Sequence, residues 1–324
     1  IFWVYSTVLG IVSLIVIVLY CLALIPHADF GEEHNHSPDF TDGKGFMYHL
    51  NKLAWLFVGI ESMTLGNNNI KDAGNKDPFA MVACMCTLFV TTVCIFLVIG
   101  STDPGIGQLS SEDHLMDPGL GLSLKTTHQT SSILLIPGFV ATAYGFQFAY
   151  TKQINAMANS GLVPKIFAYT YGPNDAPMTA CVAGSVLSLA LLLACYDTVE
   201  NFSAKMFDIV ICGACCVYIN LFRSYLICHS RYSNMERSFR SPLGVYGAYI
   251  GMAVFSLMLI GVAFFNRDNG ISISVFVIVM IFAMAYYFLV AQKREFFSKE
   301  EQEKFMKAYI LNCKPFLSLY YFVD

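Results

Sequence analysis

Long stretches without a single Asp, Glu, Lys or Arg recur along this chain and leave few folds open to it. Ile11–Ile25, Phe79–Gly100, Ile133–Tyr150 and Ile271–Ala291 are all uncharged, and most approach the roughly 20 apolar residues that cross a bilayer core. In lipid a backbone N–H or C=O finds no water, so a spanning segment satisfies both internally as a helix or joins a closed barrel. None of the runs shows the ten-residue alternation of a barrel strand. The expected fold class is therefore all-α, a polytopic membrane protein. Composition agrees, with 56% apolar and 13% charged residues against about 25% charged in soluble domains.

Hydrophobic windows bounded by Pro, Gly and charged clusters predict about eight spans, at roughly 1–25, 47–68, 79–100, 128–157, 177–196, 203–228, 244–265 and 271–291. A transmembrane domain over 1–291 and a tail over 292–324 follow. Fourteen of the 19 basic residues fall in the tail or in the loops after spans two, four and six. The opposite loops hold Asp29, Glu32, Glu33, Asp39, Asp42, Glu112, Asp113 and Asp117. Positive-inside bias predicts a cytoplasmic C-terminus and a multi-pass location, expected to be the plasma membrane. The tail, with its mixed charges, reads as a short amphipathic helix at the membrane surface.

Several function classes recede at this level. The net charge of −4, with no basic tract interleaved with aromatics, argues against a nucleic-acid partner. The 11 cysteines lie mostly inside apolar runs, and neither Cys84/Cys86 nor Cys215/Cys216 has the second pair and histidine spacing of a zinc site. No metal or cofactor is expected. His34 and His36, in an acidic loop, read as solvated polar residues. A membrane-embedded enzyme needs a His, Ser, Cys or Asp constellation converging from several spans, and no span carries a His with a plausible partner except His128 and His229, at span ends. The chain is not expected to be an enzyme. It opens with Ile1 inside an apolar run, with no basic n-region or cleavage site of a signal peptide, and reads as truncated at its start.

The second span is the informative one. Within Trp55 to Asn69 it places Gly59, Glu61, Ser62 and Asn67 to Asn69 at membrane depth. An ionisable residue there is expensive and by default marks a functional site, and a neighbouring Gly lets the helix unwind so that bare amides and carbonyls line a cavity. The alternative is that Glu61 bonds a neighbouring helix. In the fourth span, Pro137-Gly138 precedes Phe146, an aromatic wall for a small cation or a packing residue. Asp208, a turn or so inside the sixth span, is explained by capping or water contact, with substrate or proton passage as the functional alternative.

Three motifs carry a family resemblance. Val58-Gly-Ile-Glu61-Ser62, followed by Ile70-Lys71-Asp72 and Lys76-Asp77-Pro78, resembles the sixth helix and following loop of the amino acid/polyamine/organocation transporter superfamily. Lys152 to Phe167, through Asn-Ser-Gly161-Leu-Val-Pro164, with Ala176-Pro177, resembles its eighth-helix exit. Arg231 to Gly247, with Asn234-Met-Glu-Arg237 and Phe239-Arg240-Ser-Pro242-Leu-Gly244, is similar to the loop before the eleventh helix in ethanolamine-permease-like members.

The resemblance implies a LeuT-type inverted-repeat fold of twelve helices, of which this chain would supply helices five to twelve. It also implies secondary transport of amino acids or small amines such as ethanolamine or polyamines by alternating access, with a proton as candidate co-substrate. The Trp, Ile-Gly and Glu of the superfamily's arginine/agmatine antiporters match Trp55, Val58-Gly59 and Glu61. Trp55 would then be an aromatic gate and Glu61 a proton-linked gate. Val58, Gly59, Ile60 and Ser62 would form the unwound substrate segment, and Phe146 would stand where those antiporters have Trp. The competing reading is a fragment that does not transport alone, or a membrane-embedded sensor.

Overall fold

A computed structural model describes residues 2–28, 43–50, 52–57, 59–70, 72–102, 121, 125, 128–172, 175–232, 239–297, 302–303 and 305–310. The His34/His36 loop and the Asn234 to Arg237 motif lie outside them, as do Val58, Lys71 and most of the tail. The α-helices are α1 (Phe2–Leu24), α2 (Gly43–Leu50), α3 (Ala73–Gly100), α4 (His128–Asn159), α5 (Met178–Cys195), α6 (Phe202–Arg231), α7 (Gly244–Phe265) and α8 (Ile271–Leu289). Seven helices among the described residues are long and apolar enough to cross a membrane: Val4–His27, Gly74–Gly100, Ile133–Asn159, Met178–Cys195, Phe202–Arg231, Gly244–Phe265 and Ile271–Lys293. They coincide with seven of the eight predicted spans. The remaining one, 47–68, is not a continuous α-helix: after α2 the chain tightens into 3₁₀ runs at Lys52–Phe57 and Ile60–Asn69.

The exposed faces of these helices are apolar to a degree that water would not permit. Phe79 is 76% exposed, Leu193 73% and Phe264 80%, and such surfaces meet acyl chains rather than solvent. Polar side chains within the helices turn their hydroxyls back onto the backbone. Thr87 donates to the Ala83 carbonyl and Thr142 to that of Gly138, so neither presents a bare hydroxyl to lipid.

The chain divides into two compact units. One comprises Ile1–Phe46, Leu56–Ile70 and Phe79–Ala149. Its buried core joins Tyr20 and Leu24 of α1 to Ile99 of α3, with Cys21, Ile95 and Val98 around them. The end of α3 is closed by Ser101 and Thr102, both buried, whose hydroxyls donate to the Val98 carbonyl.

The other unit comprises Met47–Trp55, Lys71–Pro78 and Tyr150–Asp324. Its core is Ile211, Cys212 and Cys215 of α6 against Met258 and Val262 of α7, flanked by Ile273 and Phe276 of α8 and by Leu50 and Trp55. Without a hydrophobic driving force between helices in lipid, small residues permit the close approach that dispersion needs. Gly251 on α7 is such a residue, since a Cβ there would meet the Phe222 ring of α6. Gly184 on α5 likewise seats the Tyr150 ring, whose hydroxyl reaches the Cys181 carbonyl at 3.1 Å and Ser185 Oγ at 2.8 Å.

Two turns in this unit fix helix ends. At the end of α4, Leu162 N–H donates to the Met157 carbonyl and Gly161 N–H to that of Ala158, with Gly161 at φ 78°. This is the double-bonded glycine cap that satisfies otherwise orphaned carbonyls. Against it lies the chain leaving α8, where Phe296 N–H donates to the Ser160 carbonyl. A Cβ at Gly161 would run into the Arg294 carbonyl oxygen.

Before α8, Asp268 accepts from Gly270 N–H at 3.0 Å and Ser272 N–H at 2.7 Å. Partial burial pushes this carboxyl up, but the hydrogen bonds from Ser272 and Gly270 outweigh it and hold its pKa below the usual value.

Two outcomes follow. Gly161→Ala, which meets both the left-handed backbone and the Arg294 carbonyl, should cost upwards of about 2 kcal/mol, read as a lowered thermal midpoint in detergent. Asp268→Ala should cost about 0.5–2 kcal/mol at neutral pH as a lost cap. Because the folded pKa is depressed, that stabilisation is complete above the unfolded value near ~3.9 and is lost as pH falls through the folded one. The gap between wild type and variant should therefore close in acid.

Candidate functional site

The break in the second predicted span is built by one glycine and the carboxylate two residues on. Gly59 has φ 104°, a backbone conformation that L side chains rarely adopt. Nothing lies within 4 Å of where its Cβ would be, so the requirement for glycine is conformational rather than steric. The Glu61 carboxylate turns back to accept the Gly59 N–H at 3.2 Å. Ser62 donates to the Gly59 carbonyl from its hydroxyl at 2.5 Å and from its amide at 3.1 Å. Thr64 Oγ1 donates to the Glu61 carbonyl at 2.8 Å.

The result is a short, self-capped turn at the start of the Ile60–Asn69 3₁₀ run. A carboxylate here is favourably placed, because the first amides of a helical segment carry partial positive charge. Gly59, Ile60, Glu61 and Ser62 are all half-buried. A 3₁₀ run binds i to i+3 and shares its hydrogen bonds less well than an α-helix.

The remaining candidates fall in different places. Trp55 belongs to the unit of α5 to α8, where its ring meets Phe207 edge to face at 4.7 Å between centroids and packs on the α6–α7 core. Gly59 to Ser62 and Phe146 belong to the unit of α1 and α3. Phe146 lies on α4, 44% exposed, nine residues beyond Pro137, which cannot donate a backbone hydrogen bond. Val58 is outside the described residues. The structure thus brings Gly59, Glu61 and Ser62 into one hydrogen-bonded turn and assigns Trp55 to a separate aromatic contact.

Asp208 is buried at 6% exposure on α6, and Asn266 Nδ2 donates to it at 2.7 Å. Beside the capping or water contact anticipated for Asp208, the structure gives it a side-chain partner 58 residues away. Sequence reading also passed over Tyr48, whose ring lies 4.8 Å beneath the Arg267 guanidinium. A cation at a helix–helix turn and a tyrosine before a broken span carried no common signal.

Membrane-length apolar helices with one span irregular around Gly59 and Glu61 are those of a polytopic membrane protein, in which irregular backbone is tolerated where protein or a water-filled cavity covers it. The sequence model of the amino acid permease family matches residues 2–290, so this chain belongs to that family. It is 23% identical to an S-adenosylmethionine permease of Candida albicans over 71% of its own length, and it spans 40% of that relative. No solved structure matches it. That family is one of membrane permeases, not of enzymes.

Gly59→Ala keeps the space and removes the conformation. Strain of order 1–3 kcal/mol is expected in the turn, seen as reduced substrate uptake by a protein that still purifies as a folded, monodisperse species.

Proposed function

We propose that this protein moves amino acids or related small amines across a membrane by alternating access, receiving them at the unwound Gly59 to Ser62 segment. The observation that carries the reading is the Glu61 carboxylate seated on the Gly59 amide, inside the span that departs from α-helical bonding. A zwitterionic substrate offers partners for both groups. Its ammonium draws the Glu61 carboxylate, and its own carboxylate takes the released amide at the positive end of the turn. Exchange of this kind opens the local cap only when substrate is present, which links binding to rearrangement of the half-span beyond Gly59. The family resemblance also nominates Trp55 as an aromatic gate and Val58 and Phe146 as substrate-binding residues.

Membership in the permease family supports amino acids and amines as the substrate class. The substrate in that relative's name, S-adenosylmethionine, carries an α-amino acid head and a fixed positive charge, so cationic amino acids, ethanolamine and polyamines belong in the same panel. In the whole protein this chain supplies helices five to twelve of a twelve-helix inverted repeat, with residues 292–324 as a cytoplasmic tail at the plasma membrane. Glu61 is the group through which a proton enters the cycle. The second reading is a non-transporting fragment or a membrane-embedded sensor.

Reconstitution of the full-length protein in liposomes with labelled amino acids and amines tests this. Glu61→Gln should bind cationic substrate about 10- to 100-fold more weakly, the equivalent of a charged hydrogen bond of about 1.5–3 kcal/mol. Uptake by the variant should also lose its dependence on pH. A pH profile identical to wild type would remove Glu61 from proton coupling, and absence of uptake across the panel would leave the sensing alternative.

A further inference from the structure

The turn between α7 and α8 makes three different connections with three consecutive residues. Asn266 donates from Nδ2 to Asp208 of α6 and accepts the Arg267 N–H on Oδ1 at 3.0 Å. Arg267 lies over the Tyr48 ring at the end of α2. Asp268 holds the first amides of α8, and Ser272, fully buried just beyond, reaches the Lys205 carbonyl at 3.4 Å. Each connection fixes the geometry of the next. Asn266 is held between a buried carboxylate and the amide of the residue that follows it, which sets the backbone from which Arg267 extends.

Two more contacts bear on the same stretch of chain. Gly261 on α7 approaches the Met47 carbonyl so closely that a Cβ there would stand 2.8 Å from the oxygen. Leu50 and Trp55 pack on the α6–α7 core, and Trp55 also meets Phe207, the neighbour of Asp208. The residues before the break are therefore attached at Met47, Tyr48, Leu50 and Trp55, all within one compact unit. Past the break, Gly59, Glu61, Ser62 and Thr64 are joined by hydrogen bonds of their own.

The geometry points to Asn266, Arg267 and Asp268 as a positioning element that holds the Trp55 half of the broken span on α6, α7 and α8, with Arg267 acting through the Tyr48 ring. This rests on the transport reading for its consequence: the half carrying Trp55 stays seated while the chain beyond Gly59 rearranges around substrate. Arg267 touches no substrate in this scheme. Its effect passes through Tyr48 to the register of Trp55, and any long side chain ending in a cation keeps the attraction to the ring face.

Trp55 itself is the reporter. In the full-length protein, with every other tryptophan (Trp3 among them) replaced by Phe, its emission and its quenching by acrylamide read the seating of this half-span without reference to transport. Arg267→Gln and Tyr48→Leu should shift emission to the red and increase quenching, whereas Arg267→Lys and Tyr48→Phe should remain close to the parent. Uptake on the same preparations should fall several-fold only in the first two. If either of these does not yield a monodisperse protein, Gly261→Ala substitutes for it, because its methyl group displaces the Met47 carbonyl without altering a charge and should move Trp55 in the same direction. Unchanged Trp55 emission in the disruptive variants, or failure of Arg267→Lys to preserve it, would overturn the assignment. A parent protein that takes up nothing would end the transport reading, while the Trp55 response would still decide the anchor.

Discussion

Every feature of this protein depends on the cost of an unsatisfied backbone amide or carbonyl in a medium without water. That cost, several kcal/mol for each group, makes helices obligatory across lipid. It also sets what the departure from α-helical bonding at Gly59 has to satisfy. The chain meets the cost locally. Glu61 takes the Gly59 amide, Ser62 donates twice to the Gly59 carbonyl, and Thr64 covers the carbonyl of Glu61.

The same accounting explains how the regular spans carry their hydroxyls. Thr91, Ser188, Thr198 and Ser274 donate to carbonyls one turn back, which hides the polar atom at little cost to the helix. Bonds between elements are used more sparingly and at defined points: Tyr150 to α5, Asn266 to α6, and Ser272 to the Lys205 carbonyl. In membranes such bonds contribute modestly, averaging about 0.6 kcal/mol. Their role here is to fix relative placement, while glycines at 184 and 251 let aromatic rings fill the space between helices.

The broken span is treated differently on its two sides. Before the break it is attached by a close backbone approach, a cation over a ring and an edge-to-face aromatic pair, interactions of diverse kinds converging on a few residues. After the break, the turn from Gly59 to Thr64 is stabilised by its own hydrogen bonds. A carrier needs both a fixed reference and a segment with low reorganisation cost, since a ligand shifts an equilibrium only by its differential affinity for two states.

Much of this was legible in the chain itself. Long uncharged runs dictated an all-α membrane protein and placed seven spans to within a few residues, because the bilayer imposes length and composition on each span independently of its neighbours. The irregularity of the second span was also readable, since Gly59 and Glu61 at membrane depth have no place in a lipid-facing helix. The motif Asn159-Ser-Gly161-Leu was read, by resemblance, as a helix exit, and the structure shows that Gly161 caps it. The sequence could not pair residues distant along it. Asp208 with Asn266, Tyr48 with Arg267 and Gly261 with the Met47 carbonyl are contacts set by how helices cross, and side-chain identity at one position says nothing of its partner until the fold brings the two together. Tertiary structure alone decided that Trp55 and Glu61, six residues apart on one span, belong to different packing environments, because the turn at Gly59 ends the periodicity that would have placed them on a common helix.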